Sequence, residues 1–314
     1  MSTPAPATIG TEDGRSERTG IVLVFLSAVI FSFGGALARY LDVEDGWTIV
    51  FWRSIFAAIF LLGFMLLRDR VTGTLALFRS MGLPGLFVGL CFATASSAFI
   101  LALAHTTVAN IVLIQAGVPL IAALLARLLF GEPVSRQTWI AIAAVLFGVG
   151  VMVSDSVAGQ VSPIGDALAI LIAFAFAAAT LTTRRYANVR MTPAVFFGAA
   201  VAASVAASQA STFAVSGRDL SILVAFGAFN FGLGLALFVT GARLIPATLA
   251  ALLGTMETVL APLWVAFLHS EIPATRTVVG GVIVLMALLV HLALQMARQR
   301  RPAGQMPQNP VSSS

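Results

Sequence analysis

Charge is scarce in this sequence. Only 10% of its 314 residues are Asp, Glu, Lys or Arg, against about 25% in soluble domains. Lysine is absent, so all 18 basic residues are arginine. The single cysteine, Cys91, excludes an internal disulfide, and its place in an apolar run points to packing. The parts of an enzyme are missing too. There is no HExxH motif, no serine elbow with a basic partner, and no second acid beside Glu257 well inside an apolar run.

What is present is apolar. Hydrophobic residues make up 59% of the chain and the mean hydropathy is +0.99, which implies an all-α integral membrane protein with no soluble catalytic domain. The formal charge of +5 then reflects the orientation bias of membrane loops, and nucleic acid is not an expected partner. The N-terminus, "MSTPAPATIGTEDGRSERTG", mixes acids, arginines, Pro and Gly without an apolar core, and reads as a tail rather than a signal peptide.

Cutting the apolar runs at charges and turn residues predicts ten spans, at 20–40, 47–67, 82–104, 106–130, 136–154, 164–183, 191–214, 220–242, 247–269 and 276–297. Ser80 to Ala126 carries no charged side chain, a length that suits a helical hairpin turning at "AHTTVAN". Arginines 15, 18, 68, 70, 79, 127, 136, 184, 185, 190, 243, 298, 300 and 301 fall at alternate boundaries. Only Arg39, Arg218 and Arg276 fall at the others, beside Asp42, Glu44, Asp45, Asp155, Asp166, Asp219 and Glu271. The positive-inside rule then places both termini in the cytoplasm.

The two halves repeat weakly. Laying 107–152 over 246–291, an offset of 139, aligns two apolar segments and superposes the scarce loop acids Glu132 and Glu271. An offset of 146 lays "LARYLD" (37–42) on "TRRYAN" (183–188). Five spans per repeat is odd, so the second copy enters the membrane from the opposite side, giving an inverted repeat suited to alternating access.

"VPLIAALLARLLFGEPVSRQTWIAIAAVLFGVGVMV" (118–153), with Pro119, Gly131-Glu132, Gly148 and Gly150, resembles the repeat end of EamA-type carriers of the drug/metabolite transporter superfamily. "FWRSIFA" (51–57) resembles that family's second-span arginine motif. The likeness covers roughly 20–297 and extends, more narrowly, to amino-acid exporters of the YddG kind. It implies ten helices in two inverted five-helix repeats around a central cavity built from the first four helices of each. The implied organisation is a tail (1–19), a first repeat (20–154), a periplasmic linker (155–163), a second repeat (164–297) and a tail (298–314). The second repeat departs from the pattern: Glu257-Thr258 stands where Glu-Pro is usual, and the proline arrives at Pro262.

Polar groups inside spans are the candidate site, because a mid-bilayer charge costs about 2.5–3.5 kcal/mol on insertion scales. Glu257 shares a face with Gly254, Thr258 and Ala261, which suits a cavity wall; a protonated acid bonded to a neighbouring helix is the alternative. Gln115 occupies the pseudo-symmetric face of span four and is expected to look across at Glu257. Arg53 suits a substrate carboxylate or a loop acid equally. Asn230, flanked by Phe229 and Phe231, suits the pathway or an interhelical bond. Ser96 and Phe99 are further cavity candidates, and Pro119, Gly254, Pro262 and Gly232 are candidate bending points. The expected function is export of small metabolites, above all amino acids, from a bacterial inner membrane. A drug, cation or nucleotide-sugar carrier, or a channel-like or scaffolding protein, are the alternatives. No cofactor or metal is expected; the bilayer and a small-molecule substrate are the partners, with protons a second candidate.

Overall fold

In hydrocarbon no water relieves an unpaired backbone N–H or C=O, so long apolar runs become helices that satisfy their own backbone. A computed structural model describes residues 9–157, 162–186, 188–242, 244–245 and 247–299, and among them every regular element is helical. Much of the expected tails and linker (1–8, 158–161 and 300–314) and Arg243 lie outside the described residues. The first helix already begins at Ile9.

Span one is Ile9–Ser32 continued, after a break at Phe33, by Gly34–Arg39. Spans two and three are the two ends of a run of 57 residues, Gly46–Ala102, that is helical except at Arg70 and Gly82. At 1.5 Å per residue such a run reaches about 85 Å, against a hydrocarbon core of about 30 Å, so one crossing is excluded. The backbone reverses at Arg70 (φ 58°) and Gly82 (φ 51°), and residues 71–81 form a short connecting helix that the sequence reading took for a loop. Span four is Val108–Gln115 and Val118–Phe130, bent by 44°. Span five is Arg136–Val157, span six Pro163–Arg185 and span seven Thr192–Gln209. Span eight is Gly217–Val224, a π-helical stretch Ala225–Leu233, and Gly234–Gly241. Spans nine and ten are Ala247–His269 and Thr275–Gln299. Among the described residues eight helices are long and apolar enough to cross a membrane, nine with the bent pair; the 57-residue run holds two crossings, which makes ten.

Helix packing follows a two-fold plan. Span two lies on span seven and span five on span ten. Span three lies on span six as span eight lies on span one, and span four on span six as span nine on span one. Small residues allow the closest approaches: a Cβ on Gly148 would stand 2.8 Å from the Gly280 carbonyl oxygen, and one on Gly198 would collide with the Gly89 carbonyl. Exposed Leu67, Leu83, Phe147, Leu263 and Phe267 mark the lipid-facing rim.

The plan is broken in one place. Span nine packs on the first half of span four, Val108–Gln115, and makes little contact with Val118–Phe130. At that end, which carries Glu271 and Asp166 (the acidic end), one core cluster joins residues of spans one, three, four, five, six and nine, among them Ala36, Ala98, Ile111, Met152, Ile172 and Val265. At the opposite end, which carries Arg68, Arg127 and Arg184 (the basic end), the core divides into separate patches around Val88, Leu120 and Val24. Spans four and nine thus share one cluster at the acidic end and fall in separate clusters at the basic end.

At the acidic end Asp45 caps span two and reaches span seven. It accepts from Trp47 N (2.9 Å), Ser211 N (2.8 Å), Ser211 Oγ (2.9 Å) and Thr48 Oγ1 (3.0 Å). Burial pushes its carboxyl up, but these bonds hold it below the ordinary range. A depressed carboxyl stabilises the fold at neutral pH, and that contribution fades as pH falls through its lowered value.

The Gly89–Gly198 approach gives a direct test. Gly198→Ala should lower stability by about 1–3 kcal/mol through overpacking, seen as a lower melting temperature in detergent. Gly150→Ala, at a site with nothing within 4 Å of the added carbon, should leave it unchanged.

Candidate functional site

Span four supplies the first half of the site. Thr107 caps it by accepting Asn110 N at 3.2 Å, and the helix then breaks at Ala116–Gly117. Pro119 has no N–H to offer the Gln115 carbonyl four residues back, which favours a bend there. Pro119 is exposed in the middle of the span, and Gln115 is half-buried. The Gln115 amide has no hydrogen-bond partner among the described residues.

Span nine supplies the second half. Its buried stripe is Thr255, Thr258, Ala261 and Val265. Glu257 sits at the edge of that stripe, half-buried, and its carboxyl likewise finds no partner among the described residues. A Cβ on Gly254, one turn before it, would meet nothing within 4 Å. Two turns beyond, Trp264 stacks on Phe33 (4.6 Å between centroids) and donates Nε1–H to Ser32 Oγ (2.9 Å), closing span nine on span one toward the acidic end. Helix Ala247–His269 runs through Pro262 without interruption, whereas span four is broken at Ala116–Gly117. From the acidic end Gln115 lies seven residues deep and Glu257 twelve. At 1.5 Å per residue they are staggered by roughly 8 Å rather than level.

Arg53, Ser96 and Phe99 form a separate cluster on spans two and three. Arg53 is 6% exposed. Its Nη1 donates to Ser96 Oγ (3.1 Å) and Ser96 O (3.3 Å), and the guanidinium lies over the rings of Phe226 (4.5 Å), Phe231 (5.2 Å) and Phe99 (5.9 Å). Its Nε has no partner among the described residues. The adjoining void, lined by Ser54, Phe92, Ser96 and Phe231, holds about 10 Å³, room for one water and none for a metabolite. Neither a loop acid nor open space meets Arg53 here.

Asn230 is committed to helix packing. It lies in the π-helical stretch, is 5% exposed, and its amide donates to the Ile30 and Phe31 carbonyls of span one just before the break at Phe33. Gly232, also π-helical, lets span eight close on Phe60 of span two, whose ring would stand 2.6 Å from an added Cβ.

Sequence reasoning missed several residues. Arg39, at the end of span one, binds Glu271 (2.8 Å), while Asn110 donates to buried Asp166. Glu271 stood out only as a repeat marker, and the shared "LARYLD"/"TRRYAN" segment was the one signal for Arg39.

Comparison with known proteins adds the following. The chain matches the EamA-like transporter family twice, over residues 18–154 and 163–293. It is 26% identical over 275 residues to a protein of Rickettsia prowazekii (strain Madrid E) named S-adenosylmethionine uptake transporter, covering 86% of this chain and 91% of that one. A solved crystal structure superposes with a TM-score of 0.63 at 17% identity, covering 91% of this chain and 99% of its own. At that identity the likeness shows the fold.

Asn230 and Gln115 are predicted to separate on mutation. Asn230→Ala should cost about 1–3 kcal/mol, because it strips buried carbonyls of a donor. Gln115→Ala has no protein bond to lose and should leave the melting temperature where it is; differential scanning fluorimetry reads both.

Proposed function

The chain belongs to the EamA-like transporter family, and from that premise we propose that it exports an amino acid, aromatic or otherwise apolar, across a bacterial inner membrane by alternating access. One observation carries the reading. Gln115 and Glu257 are polar, mid-span and without a protein partner among the described residues, and they lie beside the exposed Pro119 and the open space at Gly254. Polar groups left unpaired in hydrocarbon are expensive, so a wall of a water-filled path is the economical place for them.

The chemistry suits a zwitterion. The Glu257 carboxylate is an acceptor for a substrate ammonium, and the Gln115 amide offers both donor and acceptor for the carboxylate end. The aromatic pair Phe33 and Trp264 forms an apolar floor toward the sealed end. Arg53, closed in its phenylalanine cage, reaches a substrate carboxylate only if spans two, three and eight part. The positive-inside bias puts the basic end and both termini in the cytoplasm, which makes the described conformation open to the cell interior. Protons are the candidate coupling ion, with Glu257 as the carrier.

A second reading comes from the relative's name. S-adenosylmethionine is itself an amino acid bearing a sulfonium cation and an adenine ring, and one wall acid among aromatics suits it as well. Counterflow in liposomes separates the two. Purified protein loaded with unlabelled phenylalanine or S-adenosylmethionine should take up the matching labelled compound in a saturable way. Glu257→Gln should cut that flux about tenfold or more, as loss of a charge-assisted bond requires. Undiminished flux would sink the role of Glu257, and flux indifferent to an imposed pH gradient would exclude proton coupling.

A further inference from the structure

The acidic end is fastened by a clasp. Arg39 spreads over three acceptors: Nε to Glu271 Oε2 (2.8 Å), Nη1 to the Leu103 carbonyl (2.9 Å) and Nη2 to the Thr106 carbonyl (3.2 Å). The other Glu271 oxygen accepts the N–H of Val108 (2.9 Å), the first residue of span four. One ion pair thus ties span one, the turn between spans three and four, the start of span four and the turn after span nine. Both side chains are mostly buried, at 30% and 18% exposed.

Each member of this clasp has a counterpart at the basic end. The offset of 139 lays Glu132 on Glu271, Ala242 on Leu103, Ile245 on Thr106 and Ala247 on Val108; the offset of 146 lays Arg185 on Arg39. The backbone repeats as well as the letters. Gly131, just before Glu132, has φ +67°, and Ser270, just before Glu271, has φ +55°. A left-handed serine is uncommon, since only glycine enters that region freely, so the same turn presents both glutamates at the cost of strain in the second repeat.

At the basic end the counterpart is unassembled. Glu132 pairs with Arg184, both well exposed (43% and 61%), and has no bond to span nine among the described residues. Arg185 lies over the Phe130 ring at 4.5 Å. Spans four and nine are parted there, where at the acidic end they touch.

We infer that Glu132, Arg185 and the backbone groups of Ala242, Ile245 and Ala247 form a second clasp that assembles when the first one opens. In that state Glu132 accepts the N–H of Ala247, and Arg185 spreads over Glu132 and the carbonyls of Ala242 and Ile245. Arg184 holds Glu132 while the basic end is open. Because the two clasps use the same set of bonds, breaking one is offset by making the other, which keeps the two conformations close in free energy. The inference rests on the alternating-access reading and names the residues that gate it.

The test is a distance measurement on the full chain in nanodiscs. Spin labels at Leu128→Cys and Leu252→Cys, in a Cys91→Ser background, report the separation of spans four and nine at the basic end. Glu271→Gln should raise the ratio of short to long distances about tenfold or more, as loss of a charge-assisted bond implies. Adding Arg185→Gln should return it to the starting value, and Arg184→Gln alone should raise it. If Glu271→Gln populates the short distance and Arg185→Gln leaves it there, the second clasp is wrong and alternating access stands. If no variant ever populates the short distance, alternating access between these ends fails with it. A Ser204→Ala variant, at an exposed position of span seven bonded within its own helix, should leave the ratio unchanged; a shift there would overturn the assignment to specific residues.

Discussion

A polar group surrounded by hydrocarbon must find a partner or a path to water, and this constraint sorts nearly every informative residue of the chain. Those that find protein partners hold helices together. Ser27 donates to the Gly234 carbonyl, Thr255 to its own helix, Trp264 to Ser32 and Asn230 to span one, while Arg53 takes Ser96 and three phenylalanine rings. Gln115 and Glu257 find none among the described residues. The same physics that makes the first group structural is what supports the proposal that the second lines a pathway.

The rest of the architecture serves that division. Small residues bring spans two and eight, three and seven, and five and ten within backbone contact. What differs between the two ends is how spans four and nine meet. At the acidic end a shared core and the Arg39–Glu271 pair join them. At the basic end the core is divided and the equivalent glutamate is exposed. An inverted repeat, whose halves are alike in sequence, must adopt unlike conformations to leave one end open.

Much of this was legible in the sequence, because it depends on local pattern. Ten spans followed from hydropathy and arginine placement, and the bend in span four from Pro119. Less visible were features decided by packing across the chain. Asn230 and Gln115 are both amides in apolar spans, yet one meets the Ile30 and Phe31 carbonyls and the other no partner among the described residues; nothing in their neighbours distinguishes them. Pro262 resembles Pro119 in sequence, but its helix stays unbroken. The helix at 71–81 and the π-helical stretch of span eight arise from backbone geometry that periodicity does not encode. The Arg39–Glu271 clasp joins residues 232 positions apart, and only the repeat hinted at it.

The central claim is that the Gly254–Glu257 face of span nine looks into water while the Leu263 face looks into lipid. A nitroxide at each position, relaxed in turn by a water-soluble nickel chelate and by oxygen, measures this directly. The account predicts that the label at 254 responds more to the nickel chelate and the label at 263 more to oxygen. A label at 254 that prefers oxygen as strongly as one at 263 would contradict it.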